Sequence, residues 1–134
     1  MTLEENKAIV RRYLEERDLD RFDEHVTPDF RGHVPGTPHP LDRAAHRALL
    51  QTLYTAFPDF HPIIEDQLAE GDKVASRVTW YGTHQGDFQG IPPTGKPITM
   101  AMLRIDSIVN GKVAENWVNF DALGLLQQLG AIPA

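Results

Sequence analysis

The spacing of hydrophobic residues changes along this 134-residue chain, from a helical period in the first half to alternation in the second. Between Leu3 and Arg17 the apolar residues Leu3, Ile9, Val10, Tyr13 and Leu14 fall on one side of a helix. Thr2 and Glu5 hold the two positions of a capping box, so this helix is predicted to start at Leu3. Asp20 is placed to cap a short second helix over Arg21 to Val26, which Pro28 closes, and Asp29 to Val34 reads as a short strand. With three prolines, the run Pro35 to Pro40 can continue neither element and is a loop. A third helix follows from Asp42 to Ala56, with Ala45, Leu49, Leu50, Leu53 and Phe57 at helical spacing.

After Pro58 the pattern is that of strands. Phe60 to Ala69 is one, the Glu70-Gly71-Asp72 turn ends it, and Lys73 to His84 is a long second one. A glycine-rich loop over Gly82 to Gly95 leads to a strand from Lys96 to Val109, and Asn110-Gly111 turns it into a last strand running from Lys112 to Asp121. Leu123, Leu125, Leu126 and Leu129 then mark a short amphipathic helix ended by Gly130. Helices come first, then a four-stranded antiparallel block, then a small helix, which is α+β segregation.

Composition narrows the class without naming it. The length fits one domain, 1–134, and leaves no room for a second. With 13 Lys and Arg against 19 Asp and Glu, a net charge of -6 and no basic stripe, neither nucleic acid nor an anionic membrane is an expected partner. There is no cysteine, hence no thiolate metal site, and no apolar run long enough to span a bilayer, so a cytoplasmic protein is expected. The glycines of 82–95 lack phosphate-cradle spacing and lead into a strand, which excludes a nucleotide fingerprint.

Candidate chemistry gathers on the last strand. Strict alternation puts Val113, Glu115, Trp117, Asn119 and Asp121 on one face, a mixture suited to the wall of a small-molecule pocket. Asp121 is also placed to cap the final helix, and the two roles are compatible. On the long strand Arg77 shares a face with Thr79 and Tyr81 and is expected to pair with Glu115 or Asp121 inside the pocket, or else to lie at the surface. Val78 and Trp80 then point outward. Tyr13 and His33 are each either structural or directed into the cavity.

Several stretches together carry a family resemblance: Gly82-Thr83-His84 through Pro93-Thr94-Gly95, Phe57-Pro58-Asp59, Glu70-Gly71-Asp72-Lys73-Val74-Ala75 with Arg77, and Asp121 with Gln128-Leu129-Gly130. The chain resembles the SnoaL-like polyketide cyclases, of the ester cyclase type, within the nuclear-transport-factor-2-like superfamily. The resemblance implies a strongly curved antiparallel sheet wrapped by the N-terminal helices into a cone, a deep pocket, and a homodimer packed through the outer sheet face. It implies no metal and no cofactor, with side chains alone doing the acid/base work.

Carried over position by position, the resemblance assigns the general acid/base role of an aldol cyclisation, or of a related isomerisation, to Asp121. A small hydrophobic or polyketide-like molecule is the implied substrate. Its pocket is expected to include Tyr13, His33, Phe57, Arg77, Tyr81, His84, Met100, Met102, Glu115, Trp117 and Asn119. A non-catalytic ligand binder on the same fold and a ketosteroid isomerase-like enzyme are the alternatives. Limonene-epoxide hydrolase chemistry is disfavoured, because that branch needs Arg-x-Asp on the long strand, which here reads Arg77-Val78-Thr79, and because Asn119 follows Trp117 where a carboxylate is required.

Overall fold

The structure is a computed structural model and describes residues 1–133. Helix α1 (Leu3–Glu15) begins on the expected capping box: Thr2 accepts from the Glu5 backbone N–H at 3.0 Å, and Glu5 accepts from the Thr2 N–H at 3.2 Å. A 3-10 turn, Leu19–Arg21, is capped by Asp18 rather than Asp20 and runs into α2 (Phe22–His25). Strand β1 (Val26–His33) starts earlier than its apolar pattern suggested. After the proline loop Asp42 caps α3 (Arg43–Ala56), and β2 (His61–Glu70), β3 (Lys73–Thr83), β4 (Pro97–Val109), β5 (Lys112–Phe120) and α4 (Ala122–Gln128) follow.

The strands form one curved, unclosed sheet in the order β1-β5-β4-β3-β2. Strands β2 to β5 are an antiparallel meander, as expected. The block gains a fifth member, because β1 joins at the edge parallel to β5, Gly32 opposite Asn116 and His33 opposite Trp117. A parallel partner requires a long crossover, and α3 with the whole meander supplies it. Among the described residues no helix is long and apolar enough to cross a membrane.

Which face of the sheet is covered differs from the strict-alternation reading. On β3 the buried residues are Val74, Ser76, Val78 and Trp80, while Arg77 is exposed and bonds Asp66 at 2.7 Å. Arg77 therefore meets Asp66 at the outer surface and not Glu115 in the pocket. Trp80, expected outside, stacks on Phe60 with ring centroids 4.6 Å apart. The face with Val74, Val78 and Trp80 is the more apolar and carries no charge, so the burial seen follows the strand's own pattern, and placing Arg77 in the pocket went against it. On β5 the cause is local: Ser107 pairs with Glu115 but Ile108 pairs with Val113, leaving Ala114 as a bulge. A bulge inserts one residue and reverses the alternation beyond it. Val113 points inward, and beyond the bulge so do Asn116 and Val118, while Trp117 and Asn119 turn out.

Candidate active site

Between the inner face of the sheet and helices α1, α3 and α4 lies a cavity of about 450 Å³. Its walls are mostly apolar: Leu14 from α1, Leu50 and Leu53 from α3, Trp80, Met100 and Val118 from the sheet, and Leu125 and Leu126 from α4. Each faces inward because it belongs to the apolar stripe of an element that must cover the sheet. The segment Val34 to Thr37 and the loop residues Phe88 and Gln89 complete the rim.

One end of this cavity is polar. Tyr13, His46 and Arg104 line it, and on β4 beyond Arg104 the inward residues Asp106 and Ile108 belong to the solid interior. The Tyr13 hydroxyl lies 3.3 Å from His46 Nε2. Arg104 donates from Nε and Nη2 to the two oxygens of Asp106, each at 2.9 Å, and its guanidinium sits 5.4 Å from the centre of the Tyr13 ring. Asp106 and Asn116, opposite one another on β4 and β5, are fully buried. Among the described residues, neither polar atom of the Asn116 side chain has a hydrogen-bond partner, nor does His46 Nδ1.

The electrostatics follow from burial. Desolvation, helped by the Arg104 charge, holds the His46 imidazole near a pKa of about 4, so it is neutral at ordinary pH. Burial pushes the Tyr13 phenol up to about 12; Arg104 pulls it down and Asp106 pushes it up. Tyr13 is thus a protonated donor. Burial works against the Arg104 charge, but the Asp106 carboxylate outweighs it and raises the Arg104 pKa. Among the described lining residues the one carboxylate is Glu16, which takes a hydrogen bond from His25 at 3.0 Å, and that bond lowers its pKa.

The residues singled out from sequence separate into three groups. Tyr13, Met100 and Met102 line the cavity. Phe57 and His84 are buried behind its wall, where Phe57 packs on Phe60 and Phe88, and His84 Nδ1 accepts the Thr94 backbone N–H at 3.2 Å. The rest lie elsewhere: Arg77 and Tyr81 are on the outer face, and His33, Trp117 and Asn119 line an adjoining, more open hollow of about 330 Å³ beside the proline loop, which shares Val34, Pro35, Thr37 and Val118 with the cavity. In that hollow His33 stacks on Trp117 and bonds Glu115 at 2.6 Å. Asp121 is exposed and caps α4, accepting from the Gly124 N–H at 2.8 Å. The inward positions flanking it on the cavity are Phe120 and Ala122.

His46, Arg104, Asp106 and Asn116 escaped the sequence reading. A signal for two of them was present: the inward alternation of β4 runs Met100, Met102, Arg104, Asp106, and a charged pair at i,i+2 amid apolar residues marks a buried ion pair. The Arg-x-Asp spacing absent from β3 occurs there.

A curved, unclosed α+β sheet covered by helices, with a largely apolar cavity that ends in a buried polar cluster, is the fold class this chain adopts. The chain belongs to the SnoaL-like polyketide cyclase family, whose model matches residues 7–129. It is 28% identical over 131 residues to the aklanonic acid methyl ester cyclase DnrD of Streptomyces peucetius, covering 91% of this chain and 88% of that one. It is also 28% identical over 120 residues to the nogalonic acid methyl ester cyclase of Streptomyces nogalater, covering 83% and 84%. Among solved structures, AclR of Streptomyces galilaeus, a candidate hydroxylase, superposes with a TM-score of 0.90 at 30% identity, covering 99% of this chain and 85% of AclR. IdmH of Streptomyces antibioticus, a candidate polyketide cyclase, gives 0.82 at 32%, covering 97% and 99%. Cyclase and hydroxylase share one shape, so the reaction has to be argued from the site.

Proposed function

We propose that this protein is an acid/base enzyme that admits a small, largely apolar carbonyl compound and moves protons at the carbon beside the carbonyl, closing a ring by intramolecular aldol addition or shifting a double bond. The observation that carries this reading is the convergence of Tyr13, His46 and Arg104 at the polar end of an otherwise apolar cavity. Neutral His46 accepts the α-proton through Nε2, and the forming enolate oxygen accepts a hydrogen bond from the Tyr13 O–H in the positive field of Arg104. The enolate carbon attacks the second carbonyl, and the resulting alkoxide takes the proton back. In this reading Asp121 caps α4 and does not titrate in the reaction.

The test is hydrogen–deuterium exchange at the α-carbon of a diketone methyl ester, followed by NMR. Wild-type protein is expected to accelerate exchange, and Tyr13→Phe or His46→Gln to lose roughly 10²- to 10⁴-fold of it. Binding of the ester without any exchange above buffer would instead favour a ligand carrier, a reading supported by Val118 and Phe120, through which the last strand brings no carboxylate to the cavity. The protein is further proposed to act as a homodimer through its outer sheet face, where Leu68, Ala75, Ile105 and Trp117 form a row across four strands.

A further inference from the structure

The polar end of the cavity offers a donor edge that proton transfer at Tyr13 and His46 does not use. A guanidinium carries five N–H groups in a planar fork. Among the described residues, the Nε and Nη2 side of Arg104 is fixed by Asp106 at 2.9 Å, Nη1 reaches the Met102 sulfur at 3.8 Å, and the Tyr13 hydroxyl also lies within hydrogen-bonding reach of the guanidinium. A thioether is a weak acceptor and a phenol offers a single neutral oxygen, so the Nη1–Nη2 edge keeps donor capacity for a stronger acceptor. Its direction is set by Asp106, which is fully buried, and by the Tyr13 ring beneath the guanidinium. Arg104 and Met102 both line the cavity.

We propose that this edge is a seat for a free carboxylate, so that the ligand is a small aromatic or alicyclic acid that enters acid-first, whereas the curated relatives are named for methyl esters. A carboxylate matches two parallel N–H groups of one guanidinium edge, which the single carbonyl oxygen of an ester cannot. The neighbouring groups favour an acceptor: Tyr13 is a neutral donor, His46 is uncharged, and the one carboxylate among the described lining residues, Glu16, is occupied by His25. With the acid seated on Arg104, the adjoining carbons lie beside Tyr13 and His46. The inference rests on the cavity being the ligand site, as in the acid/base reading, but it concerns which head group binds and not whether turnover occurs.

The experiment titrates the full chain at pH 7 by calorimetry with 2-naphthoic acid, its methyl ester and 2-methylnaphthalene, so that no enzymatic reaction is read. The acid is expected to bind at least tenfold more tightly than the ester and the hydrocarbon. Equal or weaker binding of the acid, or no binding of it at millimolar concentration, overturns the carboxylate seat and leaves the proton-transfer reading standing. In the charge-balanced double variant Arg104→Met, Asp106→Asn, the hydrocarbon is expected to bind as in wild type while the preference for the acid falls about tenfold. A preference that survives in this variant also overturns the assignment. The wild-type ligand series decides the matter even if the variant does not fold.

Discussion

Gly32 and His46 share one space: a Cβ built on Gly32 would lie 2.7 Å from His46 Nδ1 and 3.3 Å from the Asn116 oxygen. Glycine is needed at this point of β1 for close approach and not for a left-handed backbone. Gly32→Ala is therefore expected to push the imidazole away from Tyr13 and to destabilise the fold by about 1–3 kcal/mol, the usual cost of overpacking. Urea unfolding measures the loss. Wild-type stability in Gly32→Ala would show that His46 is free to move.

The pH dependence of stability should carry the signature of His46. Its pKa falls from 6.5 unfolded to about 4 folded, so between these values the unfolded chain binds a proton that the native one does not. Stability is then complete above 6.5 and declines as pH falls toward 4, by about 3 kcal/mol in all at 1.36 kcal/mol per unit. Comparing wild type with His46→Gln from pH 7.5 to 4.5 isolates this window from the carboxylates. Parallel curves for the two proteins would mean that His46 titrates normally.

Breaking the Arg104–Asp106 pair from one side only should cost more than removing both partners. Arg104→Met leaves the fully buried Asp106 carboxylate uncompensated, an expected loss of about 3–5 kcal/mol, and adding Asp106→Asn should recover most of it. Additive losses in this double-mutant cycle would contradict the coupling.

Asp121 offers a contrast between capping and titration. Asp121→Ala removes the acceptor for the Gly124 N–H and should cost about 1 kcal/mol, while Asp121→Asn keeps it. Under the proposed mechanism α-proton exchange in Asp121→Asn stays within about twofold of wild type. A loss in the general acid/base range, roughly 10²-fold or more, would return the proton-transfer role to Asp121.

The outer face should behave as an interface between copies of the chain. Leu103 is 62% exposed and Leu68 74%, with Ile105 and Trp117 paired nearby, an apolar area that a lone protomer leaves in water. Sedimentation is expected to give a dimer, and Leu103→Lys or Trp117→Glu to convert it to monomer. A wild-type monomer at micromolar concentration would rule this interface out.

Much of the fold was legible because its signals are local. The Thr2–Glu5 box, the Asp42 cap, the Asn110-Gly111 turn and the change of period after Pro58 each act within a few residues. The site was less legible because it depends on which face each strand presents. A single extra residue at Ala114 turned Glu115, Trp117 and Asn119 away from the interior, and no feature of the local sequence marks that bulge. On β3 the charge-free face of Val74, Val78 and Trp80 is the one covered, a signal that was present but was outweighed by the expectation of an ion pair for Arg77. The polar cluster combines α1, α3, β4 and β5, and its members become neighbours only once the sheet is assembled.

The parallel edge also sets an order of events during synthesis. Strand β1 leaves the ribosome early, yet its partner β5 comes almost last, Val26 meeting Val113. Until Lys112 to Phe120 has emerged, β1 has no strand to pair with beyond its single bridge from Gly32 to Leu41, and the helical lid rests on an incomplete floor. Closing so large a chain loop is slow, and the entropy it costs is recovered only at the end. A nascent chain stopped before the last hairpin would therefore hold a meander of β2 to β4 with the future cavity open along one side, which makes the C-terminal strand the piece that commits the whole molecule to its native shape.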